Sequence, residues 1–204
     1  MNAFAHDAPD APLTAAILAG GAATRLGGRD KGLEPLDGRP LVAWVLDAVA
    51  AQADAVIVVA NRHAETYARY ARTVGDLVAG FRGPLAGVAA ALAACATPWL
   101  LTVPVDCPDP PRDLAARLRA HADALGAHAV VAHDGERRQP LFALYRRGLA
   151  ASAAAAVEAE LGVRHWQDAL GAVELDFSDR RRQFENLNTA EEFAAHVERR
   201  RGAA

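Results

Sequence analysis

Leu13-Thr-Ala-Ala-Ile-Leu18 runs without a break into Ala19-Gly-Gly-Ala-Ala-Thr-Arg-Leu-Gly-Gly-Arg-Asp-Lys31, and this junction decides the fold. The apolar run reads as a short buried strand. The loop after it gathers Gly20, Gly21, Gly27 and Gly28 around Arg25 and Lys31. Gly20 and Gly21 permit positive φ and carry no Cβ, so a phosphate can approach bare backbone. Successive N–H groups in such a turn form an anion-binding concavity. Arg25 can hold phosphate oxygens in a bidentate fork, and Lys31 acts as a compact point charge. The chemistry suits a nucleoside triphosphate.

Two common glycine motifs do not fit. A Walker loop ends in Gly-Lys-Ser/Thr, whereas Lys31 lies between Asp30 and Gly32. The dinucleotide fingerprint needs Gly-x-Gly-x-x-Gly, whereas Gly20 and Gly21 are adjacent. With 204 residues, 52% of them hydrophobic, the chain has enough material for one α/β domain with a real core. The net charge of −3 argues against a basic nucleic-acid binder and leaves a local basic pocket open. Cys95 and Cys107 form neither a metal spacing nor a disulfide framework, which fits a reducing compartment. Residues 1–12 lack the basic cluster and apolar core of a signal peptide, and no later run has the length of a membrane span. The expected organisation is one domain over 13–198 with flexible tails at 1–12 and 199–204, in the cytoplasm, with no membrane or nucleic-acid partner.

The rest of the chain alternates strands and helices. Leu33 to Pro40 reads as an extended segment with a turn at Asp37-Gly38, and Pro40 opens a helix carrying Leu41, Trp44, Val45, Ala48 and Val49 at helical spacing. Ala55 to Ala60 is a β-branched strand ending in Asn61, which either faces the crevice beyond the strands or caps a helix over Ala64 to Ala71. Arg72 to Asp76 reads as a short strand ending in a carboxylate, which could accept both N1–H and the 2-amino group of a guanine. Gly83-Pro84 turns into a helix whose N-terminus favours phosphate. Trp99 to Val103 is a strand running into Pro104-Val-Asp-Cys-Pro108. Asp106, held between prolines, suits Mg²⁺ completed by phosphates and water. Asp109 reads as a cap for a helix from Pro111 to Leu125, and Cys107 as a small semi-buried residue without an activating base.

Ala127 to Ala132 and Gln139 to Tyr145 read as a hairpin turning at Asp134-Gly135, which makes the sheet mixed. Helices over Arg147 to Leu161 and Arg164 to Leu170 follow, then an edge strand over Val173 to Phe177. The run Arg180-Arg-Arg182 is either a solvated face or an attraction for a polyanion or partner. Thr189 and Glu192 form a capping box for the last helix. Together these give a single three-layer α/β/α Rossmann-like domain with a mainly parallel, mixed sheet.

Leu18-Ala-Gly-Gly-x-x-x-Arg-Leu-Gly-Gly-x-Asp-Lys-Gly32 resembles the signature loop of nucleotidyltransferases that build nucleotide-linked sugars and cofactors. Its end, Gly27 to Gly32, is most similar to the molybdenum cofactor guanylyltransferases. Gly38 to Leu41, Gly83-Pro-Leu-Ala-Gly87, Pro104-x-Asp-x-Pro108 and Asn186-x-Asn-Thr-x-Glu also match that family, so the resemblance spans Leu13 to about Phe193. It implies transfer of GMP from GTP to molybdenum-bound molybdopterin, with Mg²⁺ as cofactor and molybdoenzymes or their chaperones as further partners. It implies catalytic roles for Arg25, Lys31 and Asp106, with Asp106 on the metal. It implies nucleotide binding by Leu18, Ala19, Gly20, Gly21, Lys31, Asp76, Gly83, Pro84 and Asp106. It places Arg137, Gln139, Asn186 and Asn188 toward the acceptor. The family often carries a base-reading Asn where this chain has Val59, so the mode of base recognition stays open. The competing readings are a cytidylyltransferase on the same pterin, a sugar-phosphate enzyme, and a non-catalytic cofactor-binding chaperone.

Overall fold

A computed structural model describes residues 11–20, 30–76 and 83–202. The central strands are β1 (Leu13–Leu18), β4 (Ala55–Val59), β5 (Arg72–Val74), β6 (Trp99–Pro104), β7 (Ala129–His133), β8 (Arg138–Arg146) and β9 (Val173–Asp176). Among the described residues they form one seven-stranded sheet in the order β5-β4-β1-β6-β8-β7-β9. β1 pairs in parallel with β4 and β6, bringing Leu18 opposite Val59 on one side and Pro104 on the other. β8 alone runs antiparallel to its neighbours β6 and β7. The expected mixed, mainly parallel sheet is therefore present. A separate ribbon, β2 (Pro35–Leu36) with β3 (Arg39–Pro40), turns at Asp37 and Gly38.

The continuous apolar strands follow from burial on both faces. Alternate side chains of a strand point to opposite sides. Ala15 and Ile17 meet Val42, Val45 and Val49 of α1 (Leu41–Ala50) and Leu114 and Leu118 of α4 (Leu114–Leu125). Ala16 and Leu18 face Leu85, Val88 and Leu92 of α3 (Pro84–Ala94), with α5 (Ala150–Glu158) and α6 (Val163–Ala169) on the same side. These are the three layers. Among the described residues, no helix is long and apolar enough to cross a membrane.

The connections after β1 and β6 lead away from each other, so a crevice opens between the carboxyl ends of these two strands. Open α/β sheets bind ligands at such switch points. Val105 N–H, just past β6, donates to Leu18 O at 3.1 Å and closes the floor of that crevice.

Several boundaries differ from expectation. α2 spans only Ala64–Tyr67, preceded by His63 at φ 51°, and Asn61 does not cap it. α4 begins at Leu114 rather than Pro111. The tail expected from Arg199 is instead part of α7 (Ala190–Gly202). Arg199 pairs with Glu185, Arg200 with Asp109 and Arg201 with Asp37, which ties down the last turns. Trp44 is half-buried between the guanidiniums of Arg39 and Arg200, at 4.4 and 4.2 Å. It packs with Phe193 and Val197 of α7 against Leu36, Leu41 and Leu187.

Candidate active site

Lys31 opens a short 3₁₀ turn, Lys31–Leu33, at the far end of the signature loop. Its Nζ donates to Asp106 Oδ2 at 2.8 Å and to Asn188 Oδ1 at 2.7 Å. The partners lie 75 and 157 residues further along the chain. Three residues singled out from separate motifs thus meet at the switch point. Asp106 is further held by Leu187 N–H, which donates to its backbone carbonyl at 2.8 Å.

The second carboxylate oxygen of Asp106, Oδ1, is shielded from solvent and has no hydrogen-bond partner among the described residues. Leaving a buried acceptor unpaired costs about 1–3 kcal/mol. The atom is an open valence for a cation or a donor arriving with a ligand. Among the described residues, no group of three or more His, Cys, Asp or Glu side chains could hold a metal by itself. One carboxylate sharing a hard cation with phosphate oxygens and water is the Mg²⁺ pattern, and the donor set fits it.

A second group lies beyond β4 and β5. Asp76 N–H donates to Asn61 Oδ1 at 2.7 Å, and Asn61 Nδ2 donates to Asp76 Oδ2 at 2.5 Å. The reciprocal pair fixes the direction of the carboxylate. A Cβ on Gly20 would lie 3.8 Å from Asn61 Nδ2, and one on Gly87 would lie 3.9 Å from Asp76 Oδ1. Gly20, Asn61, Asp76 and α3 therefore border one crevice. Gly83 sits at φ 78°, ψ −178°, a conformation open essentially to glycine alone, and Pro84 starts α3 behind it. Ala19 N–H donates to Val59 O at 2.9 Å, so Leu18 and Ala19 run along the crevice edge. Val59 is buried, and its Cγ1 lies 3.7 Å from where a Gly87 Cβ would stand. Gly21 and Arg25 lie outside the described residues.

The model of the MobA-like NTP transferase domain matches residues 15–173. The chain belongs to this family. A relative from Burkholderia vietnamiensis named molybdenum cofactor guanylyltransferase is 43% identical over 198 residues, 92% of this chain and 96% of its own length. One of the same name from Shewanella piezotolerans is 37% identical over 182 residues, 88% of this chain and 89% of its own. The solved structure of molybdopterin-guanine dinucleotide biosynthesis protein A from Archaeoglobus fulgidus superposes with a TM-score of 0.77 at 23% identity. That match covers 94% of this chain and 100% of the other, and at this identity it speaks for the fold alone.

In this MobA-like domain the residues expected near the acceptor divide. Asn188 joins Lys31, while Asn186 offers its backbone carbonyl to Asn188 Nδ2 at 3.4 Å. Gln139 is 7% exposed, and its Nε2 donates to Asp134 Oδ2 at 2.5 Å, so it braces the β7–β8 hairpin. Arg137 is exposed beside Asp134 on the same turn. Burial works to raise the Asp134 carboxyl, but the Arg137 and Glu136 N–H groups and the Gln139 amide outweigh it and hold it below the usual carboxylate range.

Cys107 is buried and donates Sγ–H to Gln183 O at 2.9 Å. Burial first, then the charges of Asp106 and Asp109, push its thiol well up. Nothing in these surroundings activates it as a nucleophile. Asp109 does not cap α4. It pairs with His196, at 2.9 Å, and with Arg200, clamping α7 beside the strap that carries Asp106. Sequence reasoning gave no role to Tyr67 or to the Asp30 side chain, although Asp30 stood inside the signature motif.

Proposed function

We propose that the chain transfers GMP from GTP to the terminal phosphate of molybdenum-bound molybdopterin, in the cytoplasm, and releases pyrophosphate. A phosphate oxygen of the acceptor attacks the α-phosphorus of GTP. The bond from that phosphorus to the bridging α–β oxygen breaks, and pyrophosphate leaves with the electron pair. The acceptor phosphomonoester is already largely ionised near neutral pH, so no strong general base is needed. The absence of an activated nucleophile at Cys107 agrees with that.

The meeting of Lys31, Asp106 and Asn188 at the switch point carries the reading. Lys31 brings an ammonium to where charge grows on the α-phosphate and the leaving group. Asn188 orients that ammonium and has its amide available to the acceptor side. Asp106 would hold Mg²⁺ together with triphosphate oxygens, and the ion supplies charge neutralisation and in-line alignment when bound. Asp76, aimed by Asn61, accepts from the guanine edge, which presents two adjacent donors. The names of the relatives point to the same reaction. Product would then pass to molybdoenzymes or their chaperones.

The test is pyrophosphate release with Mg²⁺, molybdenum-loaded molybdopterin, and GTP or CTP in parallel. Turnover with GTP alone is expected. Turnover with CTP alone would reverse the base assignment. GTP binding without turnover would favour a cofactor-binding chaperone.

A further inference from the structure

Tyr67 is fully buried at the end of α2, a part of the chain with no motif of its own. Its hydroxyl donates to Asp30 Oδ1 at 2.5 Å. The same oxygen accepts Gly32 N–H at 3.2 Å. A Cβ on Gly32 would stand 2.3 Å from Tyr67 Oη, so the backbone on that side of Lys31 rests directly on the phenol. Both neighbours of Lys31 are thus seated on one side chain. The other end of the loop is fastened by Ala19 N–H to Val59 O. Ala19 and Asp30 are therefore each tied to β4 or to the short helix that follows it.

We propose that Tyr67 is a positioning residue for nucleotidyl transfer, fixing through Asp30 the backbone from which Lys31 reaches the reacting phosphate. The inference rests on the function proposed above. A lysine is a point charge on a flexible four-carbon stem, and only its backbone can be held in advance. An error of about 1 Å in such a group can cost about a hundredfold in rate. The Tyr67 hydroxyl is well suited to the task. Burial, then the hydrogen bond and charge of Asp30, drive its pKa far above the ordinary phenol value, so it stays a donor.

Tyr67→Phe keeps the ring and its packing and removes only the hydroxyl. Single-turnover transfer, which reads slow variants, is followed with GTP, Mg²⁺ and molybdenum-loaded molybdopterin. The rate of the bound complex is expected to fall about tenfold, equivalent to about 1.4 kcal/mol in the barrier, while GTP affinity changes little. Asp30→Ala is expected to show the same loss, and the double variant no more than either alone. In a Lys31→Ala background, Tyr67→Phe is expected to have no further effect. A lowered melting temperature with an unchanged rate would show a core residue only and overturn the proposal. So would an equal loss in the Lys31→Ala background. If Lys31→Ala itself turns over normally, the role of Lys31 fails and Tyr67 has nothing to position. If Lys31→Ala is impaired and Tyr67→Phe is not, only the tether is wrong.

Discussion

Replacing Gly32 by alanine adds one methyl group where the structure has no room for it. The new Cβ would stand 2.3 Å from Tyr67 Oη and 2.9 Å from Val105 Cγ2. Neither neighbour is the loose end of a surface side chain. Tyr67 is fully buried, and Val105 is 6% exposed beside Asp106. Overpacking of this kind costs about 1–3 kcal/mol. If the phenol moves to relieve it, the bond to the Asp30 carboxylate goes too, and hydrogen bonds to charged groups contribute about 1.5–3 kcal/mol. The expected destabilisation is therefore about 2–4 kcal/mol, a fall in Tm of about 5–15 °C for a domain of this size. Gly126→Ala is the control. Gly126 has φ 61° with nothing within 4 Å of a new Cβ, so it tests backbone conformation without crowding and should lose only about 1 kcal/mol. Thermal unfolding followed by circular dichroism gives both values. A Gly32→Ala protein that melts no lower than the Gly126→Ala protein would refute the close approach of Tyr67, and with it the seating of Lys31.

Asp106→Ala is expected to lose at least about a hundredfold in kcat at saturating Mg²⁺, and near-normal pyrophosphate release would remove Asp106 from the mechanism. Asn61→Ala frees the Asp76 carboxylate, so the KM for GTP should rise several-fold with kcat nearly unchanged; an unaltered KM would separate Asp76 from base binding. Burial alone would raise the Asp109 carboxyl, but His196 and Arg200 outweigh it and hold it below its ordinary value of 3.8. A depressed carboxylate stabilises the fold above its unfolded pKa, and that contribution is lost as pH falls through its folded one. Urea unfolding between about pH 5 and pH 3 should thus show a steeper acid loss for the parent protein than for Asp109→Asn, and equal slopes would dismiss the clamp.

The sheet was legible because strands buried on both faces leave uninterrupted apolar runs, as at Leu13 to Leu18 and Ala55 to Val59. The antiparallel β8 was legible from the Asp134-Gly135 turn. Asp106 stood out because prolines frame it. The contact between Lys31 and Asn188 was not legible, since nothing local ties residues 157 positions apart. Tyr67 escaped notice because a buried tyrosine counts as apolar in a periodicity, and its one polar contact is tertiary. Asp109 and the end of α7 misled for a common reason. Arg199 to Arg201 look like a solvated tail until the carboxylates of Glu185, Asp109 and Asp37 are placed opposite them. For Gln139 the sequence showed only a polar residue beside a loop, and its bond to the buried Asp134 carboxylate of the same hairpin was not legible.

The Lys31 ammonium carries three donors, and two are committed to Asp106 and Asn188 before any nucleotide arrives. One donor is left over, so under the function proposed above a triphosphate oxygen would meet a cation that is already partly engaged. A second phosphate oxygen would have to displace Asp106 or Asn188, so in that reading the affinity Lys31 would lend to GTP is a balance between two sets of partners. Such a displacement would be an exchange, freeing an Asp106 oxygen or the Asn188 side-chain carbonyl as the phosphate takes its place. Filling one part of the crevice would then change what Asp106 and Asn188 can offer to another, and one lysine would couple the two.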